Sequence, residues 1–282
     1  MGESALPAAD AAVRMTLIEP RRGFDLGLSE GWNHRELFLV LVWRELAVRY
    51  KQTALGITWA LFQPLAAMAV FTIFLGRLAG VPSEGIPYAP FVLAGLLPWT
   101  LIARGMGEAA TTLANNERLI TKVYFPRLLL PAAVVAAAGV DSALALGLTM
   151  VTVLLMGIPL TLAALAAPVV LGFAFALALA LGWSLSAIDV RYRDVRYALP
   201  FLTQLWFFAS PIVYPASLVP AAWRWVYGLN PVCGLVEAMR WSLLGTTPDA
   251  VLLGVSGLVI LFLVVAGLAI FRSCERDLVD RL

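Results

Sequence analysis

The sequence predicts an all-α integral membrane protein with six transmembrane helices, an amino-terminal amphipathic interface helix and re-entrant half-helices before the last span. Hydrophobic residues make up 61% of the 282 residues, charged residues make up 13%, and the mean hydropathy is +0.87. A soluble domain carries about 25% charged residues. The apolar runs have helical length, and none alternates as the strands of a membrane barrel do. A helical bundle in a bilayer is therefore the predicted class.

The amino-terminal part of the chain is first polar and then amphipathic. Residues 1–34 carry mixed charges and no apolar core of signal-peptide length, so we expect an uncleaved cytoplasmic segment. Residues 35–55 predict an interface helix, because Leu39, Trp43 and Tyr50 share one stripe at helical spacing. One long helix that enters the membrane directly is the alternative interpretation.

Six runs are long and apolar enough to cross about 30 Å of hydrocarbon as helices. Gln63 and Pro64 interrupt the first run, where we expect a kink because proline frees a carbonyl group. Gly139, Ala143 and Gly147 recur every four residues in the third run and predict close helix packing. The predicted spans are residues 56–76, 88–111, 128–157, 162–188, 197–214 and 250–271.

The segments between the spans are polar. Residues 112–127 are basic inside a pattern that suits a short helix, and residues 189–196 are too charged to lie in lipid. Residues 215–247 are amphipathic on both sides of Asn230-Pro231, which predicts two half-helices in the outer leaflet. An additional full span is the alternative there. Residues 272–282 form a charged tail.

Basic residues set the predicted orientation. Six spans place both termini on one side, and most of the 20 lysines and arginines lie before the first span, in loops 112–127 and 189–196, or in the tail. By the positive-inside tendency, both termini and these loops are cytoplasmic. The two cysteines, Cys233 and Cys274, then lie on opposite sides, so we expect neither a disulfide framework nor a metal site.

Three ionisable residues fall inside predicted spans. Arg104 and Glu108 stand four residues apart, and Asp141 is the one carboxylate near the middle of a span. A charge in lipid is costly, so we expect Asp141 to face the bundle interior or to be protonated, with Arg104 as its partner. A structural ion pair is favoured over a proton relay.

Three stretches of the chain resemble one family. They are residues 43–65 (WRELAVRYKQTALGITWALFQPL), 115–127 (NNERLITKVYFPR) and 192–215 (YRDVRYALPFLTQLWFFASPIVYP). Together they are similar to the membrane subunit of type-2 ABC exporters for polysaccharides, above all to O-antigen export permeases of Gram-negative bacteria, and the likeness covers residues 35–275. The resemblance implies a homodimer of six-span subunits in the lipid of the bacterial inner membrane. It also implies two copies of a separate ATPase, and export of a glycan carried on undecaprenyl diphosphate.

The resemblance also implies a coupling loop that docks on the ATPase. The sequence lacks a GxxxxGK[ST] phosphate loop, so we expect ATP and Mg to bind the partner and this chain to hold no cofactor. A solvated loop that only joins two helices is the alternative for this segment. The coupling candidates are Asn115, Asn116, Glu117, Arg118 and Lys122.

A translocation path for sugar needs aromatic faces and hydrogen-bonding groups, because a glycan presents apolar C–H faces and hydroxyls. Packing or lipid contact is the alternative for any single member of this set. The candidates are Phe62, Gln63, Phe71, Phe74, Trp99, Gln204, Trp206, Phe207 and Phe208.

Two further groups lie near the predicted membrane boundaries. Trp223, Trp225 and Tyr227 predict either an interfacial belt or an outer gate. The cytoplasmic cations suit a lipid-linked diphosphate, because arginine forks match phosphate oxygens, or they only anchor the helix. These cations are Arg35, Arg44, Arg49 and Lys51.

Other function classes fit the sequence less well. A membrane glycosyltransferase or lipid-sugar phosphatase needs catalytic groups, but His34 is the only histidine, and Asp189 and Asp194 sit among arginines. We therefore predict no catalytic residue and no nucleic-acid partner. An ion-coupled transporter is expected to have several intramembrane charges or an internal repeat, and neither is clear in this sequence. A permease for capsule, teichoic acid or a hydrophobic small molecule stays open within the leading class.

Overall fold

The computed structural model describes residues 33–51, 53, 56–122 and 125–275, and this part of the chain is helical with no β-strand. Residues 1–32 of the predicted amino-terminal segment 1–34 and residues 276–282 of the predicted tail 272–282 lie outside the described residues. The helices are α1 (Arg35–Tyr50), α2 (Trp59–Phe71), α3 (Tyr88–Ala110), α4 (Thr112–Asn115), α5 (Glu117–Lys122), α6 (Leu129–Leu155), α7 (Ala167–Arg191), α8 (Val195–Phe208), α9 (Arg224–Tyr227), α10 (Pro231–Leu244) and α11 (Ala250–Glu275).

Five helical stretches in the described residues are long and apolar enough to cross a membrane, which identifies a multi-pass membrane protein. Their positions agree with five of the six predicted spans, and the last one continues beyond the predicted end at residue 271. They are Gly56–Leu78, Tyr88–Ala110, Leu129–Leu155, Leu162–Arg191 and Ala250–Cys274.

The first of these stretches changes its helical geometry along its length. A 3₁₀ turn at Gly56–Thr58 leads into α2, and a π-helix at Thr72–Leu78 follows it. Pro64 lies inside α2, and the helix continues through it. The change from α to π geometry is therefore at Thr72, eight residues beyond Pro64.

The predicted fifth span, residues 197–214, is not a single continuous helix. Helix α8 ends at Phe208, and the chain then turns through residues 209–214. Pro211 has no backbone N–H to continue a helix. Two carbonyl groups of this turn accept hydrogen bonds from a residue far along the chain. Arg240 donates to Ile212 O at 2.9 Å and to Tyr214 O at 3.4 Å.

Helix α3 lies at the centre of the bundle. It packs against α6, α7 and α10, while α11 packs against α7 and α10. Phe91, Val92 and Ile102 of α3 are completely buried. Gly95 of α3 permits a close approach of the turn after α8, because a Cβ added there would lie 2.6 Å from Ile212 O.

The predicted glycine stripe of the third span is not a close helix contact within the described chain. A Cβ added at Gly147 meets nothing within 4 Å, Ala143 is exposed, and Gly139 faces Phe175 at an ordinary 3.4 Å. Spacing alone locates small residues on one helix face, but it does not say which neighbour that face meets.

The segment between α8 and α11 contains short helices and one buried helix. Short 3₁₀ turns and α9 precede Asn230, and α10 follows it with nearly all of its residues buried. Asn230 caps α10, because its Oδ1 accepts the Val232 N–H at 3.1 Å and also the indole N–H of Trp206 at 2.8 Å. Its amide donates to Ser210 Oγ at 2.9 Å. One side chain therefore joins α8, the turn and α10.

Candidate functional site

The predicted coupling residues lie on α4, α5 and the bend between them. Asn115, Glu117, Arg118 and Lys122 are exposed, while the Asn116 amide donates to Thr112 O at 2.8 Å. The apolar residues of this segment hold it against the bundle, with Leu113 completely buried and Ile120 buried. The buried residues therefore fix the segment against the bundle, and most of its charged and amide side chains are exposed to solvent.

A cavity of about 530 Å³ opens between α2, α3 and α8, and we name it the aromatic cavity. Four of the nine predicted path residues line it, namely Phe71, Trp99, Gln204 and Phe207. The Phe71 and Phe207 rings stack at 5.7 Å between centroids, and Trp99 meets Phe207 edge-on at the same distance. Residues from three separate helices thus form one aromatic surface with an amide in it.

The other predicted path residues surround this cavity or lie outside it. Trp206 packs edge-on against Trp99 at 5.7 Å. Gln63 lines a separate crevice of about 340 Å³ that Trp99 shares. Phe62, Phe74 and Phe208 are exposed on the described chain.

An ionic cluster joins α1 to the bundle, and we name it the charged cluster. Arg49 pairs with both Glu108 and Asp141, and the Tyr50 hydroxyl donates to Asp141 at 2.5 Å. Arg104 lies 2.9 Å from Glu108 and 3.2 Å from Asp141, so the predicted Arg104–Asp141 pair is present. Two guanidinium groups and two carboxylates balance each other at the contact of α1, α3 and α6.

The four predicted phosphate-binding cations do not form one site. Arg49 faces the carboxylates of the charged cluster, and Arg44 pairs with Glu45 at 2.6 Å. Arg35 and Lys51 are exposed at opposite ends of α1, roughly 24 Å apart at 1.5 Å per residue. Helical rise therefore separates Arg35 from Lys51, and Arg49 is already paired, while the role of these cations in phosphate binding stays a prediction.

Arg196, which was not among the residues predicted for the site, lies at the aromatic cavity. Arg196 lines that cavity and grips the buried Asp189 with two nitrogens, at 2.7 and 3.2 Å. The signal was present in the aspartate–arginine alternation of residues 189–196, but spacing alone did not show which pair forms.

Arg240 was also missed as an organising residue. It is 1% exposed, stacks over the Phe91 ring at 3.6 Å and lies 3.3 Å from Glu237. Together with its bonds to Ile212 O and Tyr214 O, these contacts fix the turn after α8.

The predicted outer aromatic residues are divided between surface and contact. Trp223 and Trp225 are exposed, whereas the hydroxyl of Tyr227 lies 2.9 Å from that of Tyr214. Asp249 directly precedes α11 and accepts the N–H of Leu252 at 3.2 Å. That bond, together with further bonds to Val251 N–H and Arg224, holds the pKa of Asp249 below its ordinary value of 3.8.

Among the described residues, no three His, Cys, Asp or Glu side chains form a group that could hold a metal ion. The two cysteines are free, with Cys233 buried and Cys274 half-buried. The arrangement offers aromatic surface, hydrogen-bonding groups and ion pairs, which suit binding and movement of a ligand.

Comparison with known proteins gives similarity over most of the chain. The ABC-2 type transporter family matches residues 36–244, from α1 to the end of α10. The chain is 32% identical over 255 residues to an O-antigen export system permease protein of Myxococcus xanthus, covering 89% of this chain and 97% of the relative. It is 24% identical over 243 residues to an O-antigen export system permease protein of Klebsiella pneumoniae, covering 85% and 92%. It is 22% identical to a polysialic acid transport protein of Escherichia coli, covering 83% and 91%.

Proposed function

Because the chain belongs to the ABC-2 type transporter family, we propose that it is the membrane permease of an ATP-driven exporter for a lipid-linked polysaccharide of the O-antigen type. The aromatic cavity is the observation that carries the proposal. Its volume of about 530 Å³ lies within the range of small-ligand sites. Rings of Phe71, Trp99 and Phe207 offer apolar faces to sugar C–H groups, and Gln204 offers a hydrogen-bonding amide.

A second copy of this chain completes the path in our proposal. The first span has little of its surface buried, and α8 exposes Tyr197, Phe201 and Leu205 beside the aromatic cavity. Two copies related by a twofold axis would face these same surfaces toward each other. The cavity of each copy would then form one wall of a shared passage.

The energy for transport comes from the partner ATPase of this family of transporters. We propose that two ATPase copies bind ATP and Mg and push on α4 and α5, where Glu117 and Arg118 are exposed. The permease itself carries no catalytic residue in this proposal. Movement of α4 reaches α3 directly, because Thr111 alone separates the two helices.

We propose six crossings of the bacterial inner membrane, with both termini in the cytoplasm. Helix α8 and the turn that Arg240 holds together make the fifth crossing, and α10 dips into the outer leaflet. The diphosphate of an undecaprenyl carrier meets Arg35, Arg44 or Lys51 singly at the cytoplasmic boundary. Arg196 then lies within the passage as the next cation.

Deletion of the gene in its own bacterium tests this function. We expect loss of the surface glycan together with accumulation of lipid-linked glycan at the cytoplasmic face, both restored by the wild-type chain. Absence of the lipid-linked glycan would indicate a biosynthetic enzyme instead, and unchanged surface glycan would refute export.

Capsule export is the second candidate, supported by the similarity to a polysialic acid transport protein. The same deletion distinguishes the two candidates. Loss of lipopolysaccharide side chains supports the O-antigen type, and loss of capsule alone supports the alternative.

A further inference from the structure

A second large cavity lies between the loop before α3, the short helices after α8, α10 and the start of α11, and we name it the outer cavity. Its volume is about 550 Å³, and its lining residues are different from those of the aromatic cavity. In the proposed topology it opens on the side away from the ATPase. Three carboxylates, those of Glu84, Glu237 and Asp249, line it together with several hydroxyl groups.

The three carboxylates differ in how far the chain satisfies them: Asp249 is fully bonded, Glu237 is paired through one oxygen, and Glu84 has no ion pair among the described residues. Asp249 pairs with Arg224 at 2.7 Å and caps α11. Glu237 is only 8% exposed, and its Oε1 accepts from Arg240 at 3.3 Å. No described residue donates a hydrogen bond to its Oε2, and none pairs with the Glu84 side chain.

A neutral hydroxyl of the cavity also has no partner. The Oγ1 atom of Thr246 is inaccessible and forms no hydrogen bond within the described chain. The free acceptors of Glu237 and Glu84 therefore favour a ligand that brings hydrogen-bond donors, whereas Thr246 Oγ1 is closed to a ligand in the cavity.

The lining narrows the chemical class of that ligand. Carboxylates repel an anion, and Arg240 behind Glu237 opposes a simple cation. Vicinal hydroxyls of a sugar ring are donors that suit carboxylate oxygens, and Tyr227 and Leu244, which line the same cavity, offer apolar surface that suits the face of the ring. A saccharide satisfies both parts of the surface.

We propose that the outer cavity is a saccharide subsite that binds a sugar unit of the glycan after it leaves the passage. This inference rests on the proposed export function and on its topology. Glu237 and Glu84 accept hydroxyl hydrogen bonds from the sugar, and Tyr227 supports its apolar face.

The test measures saturation-transfer NMR on the purified full chain in nanodiscs, with free D-glucose, D-galactose, D-mannose and N-acetyl-D-glucosamine as probes. At least one probe is expected to bind saturably. Glu237→Gln and Glu84→Gln are each expected to raise its Kd about tenfold, since each removes a charge-assisted acceptor. The exposed Glu36→Gln on α1 is the matched control and leaves the Kd unchanged.

Glu84→Gln keeps the test valid if Glu237→Gln fails to fold, because Glu84 is exposed and makes no ion pair in the described chain. Absence of binding by every probe overturns the proposal. It is also overturned if Gln204→Ala abolishes binding while both glutamate variants keep it, or if Ca²⁺ alone binds and both glutamate variants lose it. If the purified chain binds a sugar but deletion of the gene leaves the surface glycan intact, export is refuted and the subsite stands. If no sugar binds but deletion removes the surface glycan, only the subsite is refuted.

Discussion

Replacing Asp141 by Asn tests whether the charged cluster fastens α1 to the bundle. The substitution keeps the shape of the side chain and removes its charge. Arg104 and Arg49 then share only Glu108, which is 40% exposed and partly screened by solvent. Tyr50 loses a charged acceptor and keeps a neutral one. The cluster changes from balanced to singly positive.

The expected cost follows from the burial of the partners. The side chains of Asp141 and Arg49 are 9% and 13% exposed. Removing one partner of a fully buried pair costs about 3–5 kcal/mol. Because Arg49 keeps Glu108 and the new amide still accepts a hydrogen bond, we expect a loss of about 2–3 kcal/mol. At roughly 2–4 °C per kcal/mol, the unfolding midpoint falls by about 4–12 °C.

Thermal unfolding of the purified chain in one detergent measures this change. Glu45→Gln is the matched control, because its pair with Arg44 is more exposed and contributes only about 0–1 kcal/mol. Amide hydrogen exchange gives a second measurement, with faster exchange expected along α1 in the Asp141 variant alone. A midpoint shift no larger than that of the control, with unchanged exchange in α1, would refute the reasoning.

Three further predictions concern the coupling segment, the path and the outer end of the bundle. Reversing Glu117 and Arg118 should lower surface glycan at least about tenfold with unchanged membrane levels; normal export would remove the coupling role. Alanine at residues 206–208 should slow polymer export more than ATPase assembly, with exposed Phe262→Ala as control; equal export would mean that the cluster only packs. Asp249→Ala should cost about 1 kcal/mol of stability. Because the pKa of Asp249 lies below 3.8 when folded, this difference is full above that pH and disappears as pH falls through the lowered pKa. A difference that persists in acid contradicts it.

Length and hydropathy were sufficient to predict the five apolar spans, since each needs only about 20 apolar residues and hydrogen bonds within its own helix. The Arg104–Asp141 pair was predictable for a similar reason, because a charge in a span needs a nearby partner. The end of α8 was not predictable in this way. The turn at Pro211 is stable because Arg240, almost thirty residues later, donates to its carbonyls.

For the candidate site, too, some features were predictable from the local sequence and others depend on long-range contacts. Candidate residues of the path could be named from the sequence, but only the packing of α2, α3 and α8 shows which four of them line one cavity. Arg49 was assigned to phosphate from its place on α1, yet its partners Glu108 and Asp141 lie 59 and 92 residues away. Local patterns identify the elements, and long-range pairing decides what each side chain contacts.

The position of Asn230 also affects the chemical lifetime of the protein. An asparagine side chain deamidates to aspartate when the backbone nitrogen of the next residue attacks the side-chain amide and closes a cyclic imide. This ring closure requires that the nitrogen carry a hydrogen. Here the next residue is Pro231, whose nitrogen carries no hydrogen, so this route of deamidation is closed. An aspartate at this position would lose the donor to Ser210. The same proline that begins α10 therefore protects the amide that caps it.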